Sequence, residues 1–406
     1  MSTNMNRRRL LQAGVGAGAL GLVPGMGILR DAQAAGTGKT LITLHLTGGN
    51  DTLNTVIPYA DPQYALTRGR LAIPNDANLP KLDSRIALHP ALGTIKSLWD
   101  RGRVAIVHGV GYPDFDYSHF QAMEIYWSAD PRRTTYTGWL GRALDTATAG
   151  TASPPVLTST SIGYGTPPAL VARQYTAPQL PPNPAWFWLP SGGAHQDAMK
   201  RILSQPPTQT NLFYDAFLRN AKSAVTAYET VDAARDLRSG VDYPAGNFAK
   251  GLSFAAQLMR TDSSIRVITM EQGSYDTHDN QLPRQHKNLA ELDAALKSFV
   301  ADLDLNGLSD RVMILLWSEF GRRVVPNAND GTDHGSSQAM ILIGTGVRRG
   351  FVGSPPSLDP ATFVDRGNLP MQFDFRQLYA TLLDGWIGVD SRTVLGATFG
   401  RLPVLL

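Results

Sequence analysis

The side chains best suited to chemistry fall in short clusters. Asp51 closes the turn "GGND", Asp276, His278 and Asp279 lie within "EQGSYDTHDNQ" (271–281), Glu319 sits in "WSEFGRR" (317–323), and Asp333 and His334 in "NDGTDHGSSQ" (329–338). Carboxylate oxygens suit hard divalent cations and imidazole suits zinc, so a mixed Asp, Glu and His set gathered in one place is a metal-site pattern. A single acid after a strand is weak by itself, because such residues also cap helices and make turns. Ser118, in "DYSHFQAMEIYW", precedes a helical stretch running from His119 to Ser128. Free backbone N–H groups attract anions there, and a hydroxyl beside a divalent cation loses its proton more readily and can attack phosphorus or sulfur. The same position is also where serine simply caps a helix. Arg322 and Arg323 offer paired donors to a tetrahedral anion, with one of them expected to face the site. His45, inside a strand, and His89, near a helix start, read as structural, and His286 ranks with them. His108 and His119 lie near enough to the expected site to be its outer partners.

These clusters act together only if the chain folds them to one place. "TLITLHL" (40–46), "VAIVHGV" (104–110), "SIRVITME" (264–271), "RVMILLWSEF" (311–320) and "QAMILIGTG" (338–346) are apolar runs of strand length. Between them lie helical patterns, "LHPALGTIKSLWDRGR" (88–103) and "HKNLAELDAALKSFVADLDLNG", which begins at His286 and stops at Asn306-Gly307. Strand, helix, strand repeated predicts an α/β fold, a mostly parallel central sheet with helices on both faces. In such sheets ligands bind outside the carboxyl ends of the strands, and that is where the polar clusters fall. Glycines 48 and 49 would let the backbone approach an ion held by Asp51. From about 148 to 192 the chain is rich in Pro, Thr and Ser and predicts an irregular insertion or cap, with Trp186, Phe187 and Trp188 close together. Residues 194–260 read as helices, and 36–400 as a single domain.

The chain has 406 residues and a formal net charge of +3. Arg7, Arg8, Arg9 and Arg30 are four of its 37 basic residues and Asp31 one of its 34 acidic ones, so the remainder is balanced. That balance argues against a nucleic-acid partner. Residues 1–35 combine a twin arginine, a weakly apolar Gly/Ala/Leu stretch and a small-residue cleavage site at Ala32-Gln33-Ala34, which predicts twin-arginine export to the periplasm or beyond. The translocase would be a partner during export. Gln12, Pro24 and six glycines make the stretch a poor bilayer span, so no stable span is expected in the mature protein. With no cysteine, disulfides and thiolate metal sites are excluded.

The order of motifs, "LHLTGGNDTLNTVIPY", "RGRVAIVHGVG", "DYSHFQAMEIYW", "GWLGRALD", "DTHDNQ" and "SEFGRRVVPN…GTDHGSSQAMILIG", resembles the exported family called domain of unknown function 1501 over roughly residues 38–400. That family is similar to the alkaline phosphatase and sulfatase superfamily. The resemblance implies Asp51 as a metal ligand after the first strand, Ser118 as nucleophile, Asp276 and His278 as ligands of a second metal, Glu319 as the returning ligand of the first, and His334 as the last histidine. Two departures stand out. Asp276 and His278 are two residues apart where the superfamily often has four, and Glu319-Phe320 replaces an Asp-His pair. One histidine ligand is therefore missing, which leaves a single metal or an altered pair. Without cysteine, a cysteine-derived formylglycine is impossible.

The resulting expectation is a metal-dependent hydrolase of phosphate or sulfate esters, with Ser118 and Arg322 catalytic and Zn, Mg or Ca as the cation. Its substrate would be an anionic small molecule or a glycan ester. The other reading is an exported binding or assembly protein for glycan or protein that keeps the fold without catalysis.

Overall fold

Seven residues in succession, Thr40–Leu46, are buried and form strand β1, because the strand is covered on both faces rather than on one. The computed structural model describes residues 38–151, 154–163, 165–183, 193–203 and 212–406. The twin-arginine segment and Trp186, Phe187 and Trp188 lie outside the described residues. Gly38–Leu406 makes up one structural unit.

Eight further strands join β1 in a nine-stranded sheet: β2 (Val104–Gly111), β3 (Ser159–Ile162), β4 (Gln179–Leu180), β5 (Val267–Gln272), β6 (Val312–Trp317), β7 (Gln338–Ile343), β8 (Gly350–Val352) and β9 (Phe373–Asp374). Their order is β8-β2-β7-β6-β1-β5-β3-β4, with β9 pairing beside β8's partner β2. β1 pairs parallel with β5 and β6, placing His45 opposite Glu271 on one side and Trp317 on the other. Among the described strands of this sheet, β7 alone runs antiparallel to its neighbours β2 and β6. The sheet is thus mostly parallel, as expected. The Pro-rich stretch contributes β3 and β4 to one edge of it.

Alternation along the strands divides the core in two. Ile42, Leu44, Ile314 and Leu316 join one buried cluster with helices α1 (Gly93–Asp100), α3 (Asn247–Thr261) and α4 (Gln281–Leu305). Leu41, Met313, Leu315 and Trp317 join another with α2 (His119–Ser128), Trp139–Ala147 and α5 (Phe375–Leu382). This two-residue period is what a pleated strand imposes on side chains. Truncating one of these fully buried leucines to alanine costs about 2–5 kcal/mol, so the sheet is a rigid base for the loops at its edge. Among the described residues no helix is long and apolar enough to cross a membrane.

Candidate metal centre

Four parallel strands, β1, β2, β5 and β6, end at the same edge, and antiparallel β7 begins there. The loops carrying the polar clusters therefore converge by topology. Their packing is close. Gly48 has φ +112°, and a Cβ on it would lie 2.4 Å from the Asp276 amide nitrogen, so only glycine lets the first loop meet the loop after β5. Gly331 presses on the His278 backbone in the same way, 2.2 Å from a hypothetical Cβ to the His278 carbonyl carbon. Residues 321–335 fold back on themselves, with the Gly335 N–H donating to the Gly321 carbonyl at 2.8 Å.

Asp276 stands at the centre of the resulting group. One carboxylate oxygen is 3.1 Å from His278 Nε2, 3.3 Å from His334 Nε2 and 2.6 Å from an Arg322 nitrogen; the other is 3.5 Å from His119 Nε2. The ligand atoms of His119, Asp276 and His334 all lie within 4.8 Å of one another. His278 Nε2 lies 2.8 Å from His334 Nε2.

The far side of each ring fixes its proton. His119 Nδ1 faces a Glu319 oxygen at 2.7 Å, His334 Nδ1 the Tyr117 carbonyl at 2.6 Å, and His278 Nδ1 an Asp333 oxygen at 3.3 Å. These oxygens only accept, so each neutral ring carries its proton on Nδ1 and turns a bare Nε2 toward Asp276. Two bare nitrogens 2.8 Å apart repel unless a cation or a proton lies between them. His119 Nε2 is buried and makes no hydrogen bond. Imidazoles oriented by outer oxygens, together with a carboxylate, fit a divalent cation.

Charge in the site is arranged to the same end. Burial is the largest influence on Asp276 and would raise its carboxyl, but the Arg322 hydrogen bond and charge hold it below the usual range. Burial would likewise raise Glu319, and hydrogen bonds from His119 and His45 outweigh it, leaving the carboxyl ionised. His334 is pushed down, first by burial, so it is neutral and able to donate its lone pair.

Of the residues singled out in the sequence, Asp276, His278 and His334 come together here. Glu319 lies beneath them, 1% exposed, and touches the cluster through His119. Asp51 is turned elsewhere: it caps the turn Thr52–Thr55, pairs with the buried Arg68 and accepts from Gln281 at 2.5 Å. The Arg322 guanidinium is buried and committed, donating to the carbonyls of Gly49 and Thr332 at 2.7 Å each, to the Gly48 carbonyl and to Asp276. It locks Asp276 in place. Ser118 caps α2, its oxygen accepting from the Gln121 N–H at 3.4 Å, with its chain neighbours Tyr117 and His119 both in the cluster's contacts. His119, read in the sequence as an outer partner, offers a ligand atom in this group. Its place one residue after the candidate nucleophile was the available signal. Arg323, whose side chain is 25% exposed, lies over the Tyr117 ring and beside Asp333.

A model of the family described as "Protein of unknown function (DUF1501)" matches residues 107–399. The chain belongs to that family. No curated protein matches it. Among solved structures, the DUF1501 chain is similar to PsFucS1 sulfatase from Pseudoalteromonas sp., with 11% identity over 93% of this chain and 72% of that one and a TM-score of 0.39. It is also similar to a protein in the alkaline phosphatase superfamily from Vibrio parahaemolyticus (10%, 89% and 69%, TM-score 0.37). A third is the C-terminal periplasmic domain of EcEptC from Escherichia coli in complex with Zn (9%, 76% and 74%, TM-score 0.34). Scores of this size assign neither a reaction nor a cofactor to the chain.

Proposed function

We propose that this DUF1501 chain is a metal-dependent hydrolase of anionic phosphate or sulfate esters, its cation held by His119, Asp276 and His334 with His278 beside them. The observation that supports this most is the convergence of bare imidazole Nε2 atoms on one carboxylate, each ring pinned from behind by an oxygen. Three nitrogens and one carboxylate favour zinc over magnesium or calcium. Bound there, the cation would act as a Lewis acid toward the anionic oxygens of the ester.

The chain's own groups do the rest. Ser118 stands at the N-terminus of the ten-residue helix α2, where unpaired N–H groups favour an anion. Its oxygen forms a bond to phosphorus or sulfur as the bond to the alcohol oxygen breaks, the serine proton passing through solvent to the departing alcohol, and water then cleaves the serine ester and restores the hydroxyl. Arg323 offers the accessible guanidinium for the substrate's remaining charge, while Arg322 keeps Asp276 oriented. The twin arginine at the N-terminus supports export, and so a periplasmic or secreted setting, with the translocase met in transit.

The test is turnover of a panel of phosphate and sulfate esters by the zinc-replete protein. Wild type should hydrolyse at least one class, and Ser118→Ala should lose more than about a hundredfold in kcat. Full turnover in Ser118→Ala removes the serine step. A panel that stays negative, with specific capture of a glycan or protein, would favour the non-catalytic binding reading.

A further inference from the structure

We infer that Glu319, with His45 behind it, is a positioning pair that presents His119 to the cation, and that Glu319 is not itself a ligand. This rests on the metal-centre reading above. Both Glu319 oxygens are already engaged. One accepts from the Gly48 N–H at 2.8 Å and faces His119 Nδ1 at 2.7 Å; the other faces His45 Nε2 at 3.0 Å and the Ser318 hydroxyl at 3.1 Å. Three donors, the Gly48 N–H and the two imidazole N–H groups, engage both oxygens, and Ser318 Oγ, whose single proton goes to the Leu46 carbonyl at 2.6 Å, packs against the second, so the carboxylate is occupied from within the protein.

The two histidines differ in what lies beyond them. His119 carries the contact onward, its Nε2 reaching toward Asp276. His45 is 2% exposed and stacks on Trp317, with ring centroids 4.0 Å apart and planes 7° apart, which fixes the angle at which it meets Glu319. Its other nitrogen is 3.7 Å from Glu271, too far for a hydrogen bond. His45 therefore steadies the buried carboxylate from the side away from the cluster. The carboxylate in turn holds His119 as the Nδ1–H tautomer, which directs the Nε2 lone pair to the site.

The test measures zinc affinity of the full chain by competition with a chromogenic chelator, together with the visible spectrum of the cobalt-substituted protein. Glu319→Gln should weaken zinc by about 10–100-fold and leave the cobalt band envelope unchanged, because the ligand set is intact. His45→Gln, a second and milder change, should weaken zinc by a few-fold, and thermal unfolding of the metal-free variants checks that each is folded. Zinc affinity within about twofold of wild type in folded Glu319→Gln overturns the inference. So does a cobalt envelope that changes coordination class, which would make Glu319 a ligand. If Glu319→Gln does not fold, wild-type affinity in His45→Gln overturns it. A wild-type chain that binds no zinc overturns the metal-centre reading and this inference together, whereas zinc binding without ester turnover leaves the inference standing and sinks only the hydrolase.

Discussion

Asp51, Asp276 and Glu319 are three carboxylates at one sheet edge, and their surroundings divide their work. Asp276 is half exposed among imidazoles, Glu319 is buried between two histidines, and Asp51 is buried against Arg68, itself fully buried. Arg68 also donates to the Val324 carbonyl at 2.9 Å and the Arg323 carbonyl at 3.2 Å, so the Asp51–Arg68 pair ties the loop after β1 to the loop after β6. Removing one member of a buried pair leaves the other charge uncompensated, which costs about 3–5 kcal/mol. Asp51→Asn should therefore lower the unfolding free energy obtained from urea titration by that amount while the folded protein keeps its full zinc content. Unchanged stability with loss of zinc would instead make Asp51 a ligand.

At the scale of elements, the strands that build the edge were legible because their apolar runs are long and uninterrupted: "TLITLHL" is β1 residue for residue. The placement of the polar clusters followed from them, since parallel strands deliver their carboxyl ends to one side. The direction of β7 was not legible. Its run Gln338–Ile343 is buried from both faces whichever way it points, and only pairing with β2 and β6 reveals the reversal. The reversal matters, because it lets His334 enter the site from the start of a strand. β3, "STSI", was missed within the Pro-rich stretch because its polar side chains carry no apolar signal. The helix read over 88–103 is shorter, Gly93–Asp100, because His89 and Leu92 are spent on the turn before it. Side-chain aim was the least legible feature of all. Nothing in the order of residues says that Asp51 turns toward Arg68 or that Arg322 is consumed by carbonyls of neighbouring loops.

In the whole molecule, a rigid sheet with a buried core on each face carries a site built from loops and from His119 at the start of α2. Two buried histidines away from the site, His89 and His108, are each pushed down to about 4 chiefly by burial and predict a loss of stability in acid. His108 is 2% exposed and stacks on Phe351; burial is the main cause of its pKa falling from 6.5 to about 4, with Asp83 opposing and Arg85 adding to the shift. Because the folded value lies below the unfolded one, the unfolded chain binds more protons between them. The His108 contribution is complete above about pH 6.5 and is lost as pH falls toward about 4, roughly 3 kcal/mol in all. Denaturant titrations across that window should show His108→Gln losing less stability than wild type by that amount. The central claim is tested most directly by zinc-edge X-ray absorption on the purified chain. The prediction is one bound zinc per chain with a nitrogen and oxygen shell at about 2.0–2.1 Å and the outer scattering of two or more imidazoles. A spectrum without imidazole scattering, or a chain that retains no stoichiometric metal, would contradict it.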